Sequence, residues 1–126
     1  MTATPGAAVV ERYLQAIRAH DWEALAACLT EDVVRTGPFG DTFSPRDRYV
    51  SFLAGLMPSL PGYAMDVTRV VATGDGGTVF AQLSETVAFD GAPVVTPETL
   101  VFDLAADGRI ARIDIYIQRL GDPPGP

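Results

Sequence analysis

Two glutamates stand at strand positions where an apolar side chain is expected. Between residues 79 and 89, alternate residues form an apolar file that Glu85 interrupts, and Glu98 interrupts the matching file in the next run. Alternate residues of a strand share one face, so both carboxyls belong to the inward face. An ionised carboxylate there is costly unless it gains a partner, a proton or water. The pattern therefore predicts a cavity with Glu85 as a general base and Glu98 as a second acid.

The hairpin between the two runs determines how close these carboxyls lie. With Asp90-Gly91 as a two-residue turn, Glu85 lies opposite Thr96 and diagonal to Glu98, at about 7–8 Å. A four-residue loop would place the two glutamates directly opposite each other. A further alternative is that the strands extend past the helices, so that both glutamates reach solvent at the open end of the sheet.

Two other polar side chains are candidates for the same site. Arg35 lies on a short predicted strand, from which it could orient or neutralise a carboxylate. Tyr13 lies on the apolar stripe of the first helix, where a buried hydroxyl needs a hydrogen-bond partner. We expect Tyr13 to donate a hydrogen bond in the site and Arg35, with Glu98, to set its charge. The alternatives are an ordinary core tyrosine and a surface arginine.

Large apolar side chains on the inward faces of the same elements are expected to bind the ligand. An aromatic stripe at helical spacing is also typical of an ordinary core, which is the alternative here. The predicted lining residues are Trp22, Phe39, Tyr49, Phe52, Leu56, Leu83, Leu100, Phe102 and Ile115.

The first half of the chain predicts three helices. Each follows a capping signal, at Thr4-Pro5, at Asp21 and at Ser44-Pro45. Polar caps and an early proline are typical of helix starts. We expect the second helix to include Leu29, a short strand to follow at residues 33–36, and Pro58 to close the third helix.

The second half of the chain predicts four strands in an antiparallel meander. Asp-Gly between alternating runs is a strong hairpin signal, because both residues must take positive φ. Asp107-Gly108 as a two-residue turn places Phe102 opposite Ile113. Helices on one face of such a sheet make an α+β fold, here a single domain of residues 1–126 with a flexible tail at 120–126. The predicted strands span residues 64–73, 78–89, 93–105 and 109–119.

Composition excludes several function classes. Nine basic and sixteen acidic residues give a net charge of −7, which disfavours binding to nucleic acid or an anionic membrane. Every basic residue is arginine, so lysine Schiff-base chemistry and a P-loop lysine are excluded. One cysteine, Cys28, and one histidine, His20, leave too few ligands for a zinc site. We expect a cytoplasmic protein without metal, cofactor, targeting signal or membrane span.

The run from Val9 to Ile17, followed by His20-Asp21, resembles the opening helix of ketosteroid isomerases. The whole order of elements resembles the nuclear-transport-factor-2-like superfamily, which also includes limonene-type epoxide hydrolases and SnoaL-like polyketide cyclases. Asp107-Gly108-Arg109-Ile110 is similar to a turn that these proteins often carry before the last strand. The resemblance covers residues 5 to 119.

The resemblance implies an architecture and a partner. It implies three N-terminal helices packed on a strongly curved, mixed, mostly antiparallel sheet, a cone-shaped α+β barrel with a central cavity. Similar proteins commonly form homodimers through the outer face of the sheet. In this chain that face would be lined by Thr86, Arg112, Asp114, Tyr116 and Gln118.

The isomerase comparison matches at one catalytic position of three. Tyr13 stands where these isomerases have a hydrogen-bonding tyrosine. Their catalytic aspartate, just before a proline, corresponds to Gly37, and their proton-bearing aspartate corresponds to Leu100. A steroid isomerase of the standard type is therefore not expected.

The epoxide hydrolase comparison is also partial. Glu85 stands where one of the two catalytic aspartates of that family lies, while its arginine is replaced by Leu83 and its second aspartate by Ile115. We infer that a Glu–Arg–Glu cluster could be rebuilt here from Glu85, Arg35 and Glu98.

Two functions follow from these residues. The first is a cofactor-independent acid–base enzyme that acts on a small apolar, polyketide- or terpenoid-like molecule by epoxide opening, cyclisation or isomerisation. The second is a non-catalytic module that binds a small ligand or dimerises. The glutamates favour the first, and the replaced family acids favour the second.

Overall fold

The computed structural model describes residues 5–118, which form three α-helices, one 3₁₀ turn and six β-strands. Thr4 and the tail at 120–126 lie outside the described residues. The helices are α1 (Pro5–Ala19), α2 (Trp22–Ala27) and α3 (Arg46–Leu56), and the 3₁₀ turn is Met57–Ser59. The strands are β1 (Leu29–Thr36), β2 (Thr42–Phe43), β3 (Ala64–Ala72), β4 (Thr78–Phe89), β5 (Ala92–Leu104) and β6 (Ile110–Ile117).

The six strands form one mixed sheet in the order β2-β1-β6-β5-β4-β3. Only the β1–β6 pair is parallel among these strands, so the predicted α+β class with a mixed, mostly antiparallel sheet is confirmed. The sheet is open, with β2 and β3 at its edges, and the expected barrel does not close.

The resemblance implied three N-terminal helices, but the three helices do not all precede the sheet. Two strands, β1 and β2, lie between α2 and α3 in the chain. The buried core joins α1 to the inner face of the central strands, with Val10 on the helix and Val79 and Phe102 on the sheet, all fully buried. None of the helices in residues 5–118 is long and apolar enough to cross a membrane, and the cytoplasmic location stays a prediction.

The second helix begins as predicted and ends earlier than predicted. The Asp21 side chain accepts a hydrogen bond from the Ala24 N–H at 3.1 Å, as expected of a helix cap. Leu29 was expected in α2 but begins β1, where it pairs with Ile110. The Ile110 N–H donates to the Cys28 carbonyl at 2.8 Å. Strand pairing therefore overrides the helical spacing of the apolar residues.

The third helix is shifted by one residue from the predicted start. Pro45 occupies the cap position before α3, not the first helical position, and no side chain caps the helix. Pro58 does not stop the chain at once but sits in the 3₁₀ turn, where a missing N–H is tolerated in the first turn. The end of α3 at Leu56 remains close to the predicted one.

The two Asp-Gly hairpins set the register that the site depends on. Glu85 pairs with Thr96, as a two-residue turn requires, and Asp90 and Gly91 take φ values of 51° and 79°. Phe102 pairs with Ile113 as predicted.

The second hairpin has a longer turn than predicted. The Ala105 N–H donates to the Arg109 carbonyl at 2.8 Å, so three residues lie between this pair instead of two. A register shift between Asp103 and Leu104 absorbs the extra residue. The pairing of Phe102 is therefore kept although the turn differs.

Candidate active site

A cavity of about 420 Å³ lies between α1, α3 and the inner face of the sheet. Most of its walls are apolar, and its polar groups converge from five different strands and helices. A concave apolar space with a few polar groups is typical of a small-molecule site. The polar lining residues are Tyr13, Arg35, Tyr49, Tyr63, Glu85, Thr96 and Glu98.

The two glutamates meet in this cavity on neighbouring strands. Glu98 pairs with Leu83, which places it diagonal to Glu85, and its side chain is buried. Burial raises the pKa of Glu98 to about 9, helped by a hydrogen bond with Glu85 and by the charge of that carboxyl. Glu98 therefore keeps its proton at pH 7 and donates it to the Glu85 carboxylate. This is neither the directly opposed pairing nor the solvent-exposed position that the sequence also allowed.

Tyr63 also lies beside the two glutamates, and the sequence analysis did not identify it as a site residue. Its hydroxyl donates a hydrogen bond to Glu85 Oε2. Burial, followed by the charge of Glu85, raises the pKa of Tyr63 far above its ordinary value, so it remains a donor. Met65 pairs with Glu85, and Tyr63 lies two residues before Met65 on the same face. Knowledge of the β3–β4 register would have placed Tyr63 near Glu85. A register shift between Val67 and Arg69 prevents that register from being predicted from the sequence.

A pair of tyrosine hydroxyls lies on the helical side of the cavity. The hydroxyls of Tyr13 and Tyr49 are hydrogen-bonded to each other, and both side chains are fully buried. Burial raises the pKa of each phenol, so both stay protonated. The rings of Phe102 and Tyr13 pack edge to face, with their centroids 5.3 Å apart, which restricts the position of Tyr13. One bond between two hydroxyls uses one proton, so the pair retains one O–H that can donate into the cavity.

Arg35 lines the cavity, but its ion-pair partner is not a glutamate. Arg35 Nη1 donates to Asp41 Oδ2 at 2.8 Å, while its charge also acts on Glu98 and partly offsets the rise that burial causes in the pKa of that carboxyl, so its role in setting the charge of the site stays a prediction. The turn after β1 brings Asp41 back, since the Gly37 N–H donates to the Asp41 carbonyl at 2.8 Å. A Cβ at Gly37 would lie 2.6 Å from both Arg35 Nη1 and Asp41 Oδ1. The glycine therefore leaves space for this ion pair.

Six of the nine apolar residues expected at the site line the cavity. Phe39 stands at its mouth, 87% exposed. Further apolar residues that complete the walls include Leu60, Val87, Phe89, Val94 and Ile117. The six predicted residues that line it are Phe39, Tyr49, Phe52, Leu56, Leu100 and Ile115.

Three expected lining residues lie elsewhere. Trp22 stacks on His20, with ring centroids 5.5 Å apart, and does not line the cavity. Leu83 and Phe102 are on the correct face of the sheet but are fully buried beneath the helices. The cavity occupies only the end of β4 and β5 that carries Glu85, so inward residues further along each strand belong to the core.

Comparison with known proteins agrees with this architecture. Residues 10–113 match the family model described as a SnoaL-like domain. No curated protein matches the chain.

Solved structures share the fold at low sequence identity. A Kribbella flavida protein provisionally assigned as a ketosteroid isomerase is 22% identical, with a TM-score of 0.78, and the match covers 97% of this chain and 84% of that one. A Mycobacterium tuberculosis LEH-like epoxide hydrolase is also 22% identical, with a TM-score of 0.77 and coverage of 90% and 83%. A Shewanella denitrificans protein provisionally assigned as a SnoaL-like polyketide cyclase is 12% identical, with a TM-score of 0.77 and coverage of 90% for both chains. The family match spans most of the sequence, so the chain belongs to the SnoaL-like domain family.

Proposed function

We propose that this protein is a cofactor-independent acid–base enzyme that opens, cyclises or isomerises a small apolar substrate of the polyketide or terpenoid type. The observation that carries the proposal is the placement of Glu85 and Glu98 diagonally across β4 and β5 at the wall of one apolar cavity. Glu98 keeps its proton at neutral pH, because burial raises its pKa to about 9. One group can accept a proton while its neighbour is ready to donate one.

Glu85 is the general base in this mechanism. It receives hydrogen bonds from Tyr63 and from Glu98, which hold its carboxylate in place at the cavity wall. In epoxide opening, Glu85 takes a proton from the attacking water and Glu98 gives its proton to the ring oxygen. In isomerisation or cyclisation, Glu85 takes a proton from the carbon next to a carbonyl and returns it to another position. Each reaction conserves protons without a cofactor.

The tyrosine pair supplies an O–H for the oxygen on which negative charge develops. Because Tyr13 and Tyr49 share one hydrogen bond, the remaining O–H needs an acceptor, and a substrate carbonyl or epoxide oxygen provides one. Both hydroxyls are buried, so water does not weaken the interaction. This donor and Glu85 both line the cavity, so they can act on one bound molecule.

A panel of apolar epoxides, β-keto esters and β,γ-unsaturated ketones tests the proposed function. The reactions are followed by NMR in D₂O, which detects both hydrolysis and exchange of carbon-bound hydrogen for deuterium. We expect turnover of at least one class by the native protein and its loss in Glu85→Gln. Turnover that is equal in the native protein and in Glu85→Gln would overturn the proposal.

Tyr13→Phe is expected to lower kcat by about a hundredfold, as loss of one donor to a developing oxyanion does. The substitution removes a hydroxyl without changing the packing of the ring against Phe102. Its effect on the free energy of unfolding should stay within about 1.5 kcal/mol. Kinetics on the active panel compound and thermal unfolding measure both quantities.

Tyr116→Phe is the matched control for this prediction, because Tyr116 is exposed on the outer face of the sheet. It should leave kcat unchanged. An equal effect of the two substitutions, or no effect of Tyr13→Phe, would remove the tyrosine pair from the mechanism.

A second candidate function, ligand binding without catalysis together with dimerisation, is favoured by the outer face of the sheet. Phe80, Val71 and Val95 are 40%, 50% and 44% exposed there. Phe80 pairs with Val71 across β3–β4, so their side chains adjoin. We propose that two copies of the chain pack through this face, which also carries Thr86, Arg112, Asp114, Tyr116 and Gln118.

Phe80→Asp is expected to convert a homodimer into a monomer, because it places a charge at the centre of the apolar part of this face. Sedimentation equilibrium of the native protein and of the variant measures the mass of each. Glu11→Gln, an exposed change on α1, should leave the mass unchanged. A native protein that sediments as a monomer at high concentration contradicts the dimer.

A further inference from the structure

Arg35 has a hydrogen-bonding capacity that its protein neighbours leave unused. Its guanidinium carries five N–H donors. Nη1 donates to Asp41, and the guanidinium also forms a hydrogen bond with the Tyr49 hydroxyl. Its Nε atom is buried and has no hydrogen-bond partner in the part of the chain that the structure describes. Because Nε is enclosed by protein, an acceptor from outside the chain can reach only the part of the guanidinium that is exposed to the cavity.

The surroundings of Arg35 hold the guanidinium in a fixed position at the cavity wall. Its central carbon lies 5.7 to 5.8 Å from the ring centroids of Phe43, Tyr49 and Phe52. Only 12% of the side chain is exposed. A charged group held between aromatic rings and shielded from water interacts strongly with an opposite charge.

Arg35 is the only basic residue that lines the cavity within residues 5–118. The two carboxyl groups of the lining belong to Glu85 and Glu98, and Glu85 already accepts a hydrogen bond from Tyr63. Asp41, which engages Nη1, is 43% exposed and does not line the cavity. Part of the arginine charge is therefore available on the side that faces a bound molecule.

We propose that the substrate of this site is an apolar carboxylic acid whose carboxylate binds the part of the Arg35 guanidinium that is exposed to the cavity. This proposal deepens the proposed acid–base function and rests on it for the reaction, but it concerns the binding of the substrate alone. Arginine presents planar N–H donors that match a carboxylate geometrically. The apolar part of the acid occupies the walls formed by Phe52, Leu100 and Ile115 and extends toward Glu85.

Paired probes of equal shape test the proposal by calorimetry at pH 7. The probes are 2-naphthoate, which is ionised at this pH, and 2-naphthamide, which is neutral. We expect the native protein to bind naphthoate about tenfold more tightly, as a charged hydrogen bond provides. In Arg35→Gln the naphthoate affinity should fall to that of naphthamide, while the naphthamide affinity stays within twofold.

Asp41→Asn provides a second variant at the exposed side of the arginine. Because this substitution removes the competing carboxylate, naphthoate should bind more tightly. The affinity for naphthamide should stay unchanged. Equal affinity of the two probes for the native protein overturns the proposal. So does an Arg35→Gln variant that weakens both probes equally, or an Asp41→Asn variant without any gain for naphthoate.

The outcome for binding is separable from the outcome for catalysis. Glu85→Gln tests turnover and should keep the preference for naphthoate, because Glu85 is not the group that binds the carboxylate. Both proposals stand if Arg35→Gln loses the preference for naphthoate and turnover still depends on Glu85. An intact charge preference in Arg35→Gln overturns the carboxylate site and leaves the acid–base function standing.

Discussion

Glu85→Gln is expected to lower kcat by about 10²–10⁴-fold, the range typical for loss of a general base. Glutamine has nearly the same shape as glutamate, so it fits between Tyr63 and Glu98, but it cannot take a proton from the substrate. Substrate binding should change little, because the walls of the cavity are unchanged. The expected signature is therefore a loss of kcat with a nearly constant KM.

Glu11→Gln is the control for this substitution, because Glu11 is exposed on α1 and does not line the cavity. It should have native kinetics. If Glu85→Gln retained native kcat on a compound that the native protein converts, another group would have to be the base.

The second large effect concerns stability against pH. The folded chain holds the Glu98 proton up to about pH 9, whereas the unfolded chain releases it near the ordinary glutamate pKa of about 4.3. The folded state therefore binds more protons between these two pH values, so the free energy of unfolding falls as the pH rises. Each unit of pKa difference contributes about 1.4 kcal/mol, so we expect a total loss on the order of 6 kcal/mol between these two pH values.

Glu98→Gln should remove most of this pH dependence. The amide is neutral at every pH and can still donate a hydrogen bond to Glu85. The variant should unfold at a higher temperature than the native protein at pH 8.5 and at a similar temperature at pH 5. Thermal unfolding at pH 5, 7 and 8.5 measures this, with Glu31→Gln on the exposed part of β1 as control. A Glu98→Gln variant that keeps the native slope contradicts the assignment of the buried proton to Glu98.

The carboxyl pair could be predicted from the sequence because two local rules determine it. The period of two placed Glu85 and Glu98 on inward faces, and Asp90-Gly91 set the hairpin register. Both rules act within one hairpin, so no knowledge of distant contacts was needed. The α+β class followed from the same kind of pattern in the other strands.

The partners of the site could not be predicted, because they depend on contacts between distant segments. Asp41 reaches Arg35 only through the turn after β1, and no spacing rule describes that turn. Tyr63 reaches Glu85 across a pair of strands whose register shifts midway. In the same way, inward-facing Leu83 belongs to the core because of how far the helices extend over the sheet.

The most direct test of the shared proton is a carboxyl NMR titration of the five glutamates, Glu11, Glu23, Glu31, Glu85 and Glu98. Selective carbon-13 labelling gives one signal for each, and single substitutions to glutamine assign them. We predict that the signal missing from Glu98→Gln is that of a protonated carboxyl at pH 7, which titrates near pH 9 in the native protein. If instead all five signals titrate at or below about 4.3, the ordinary pKa of glutamate, the two carboxyls share no proton and the acid–base account is wrong.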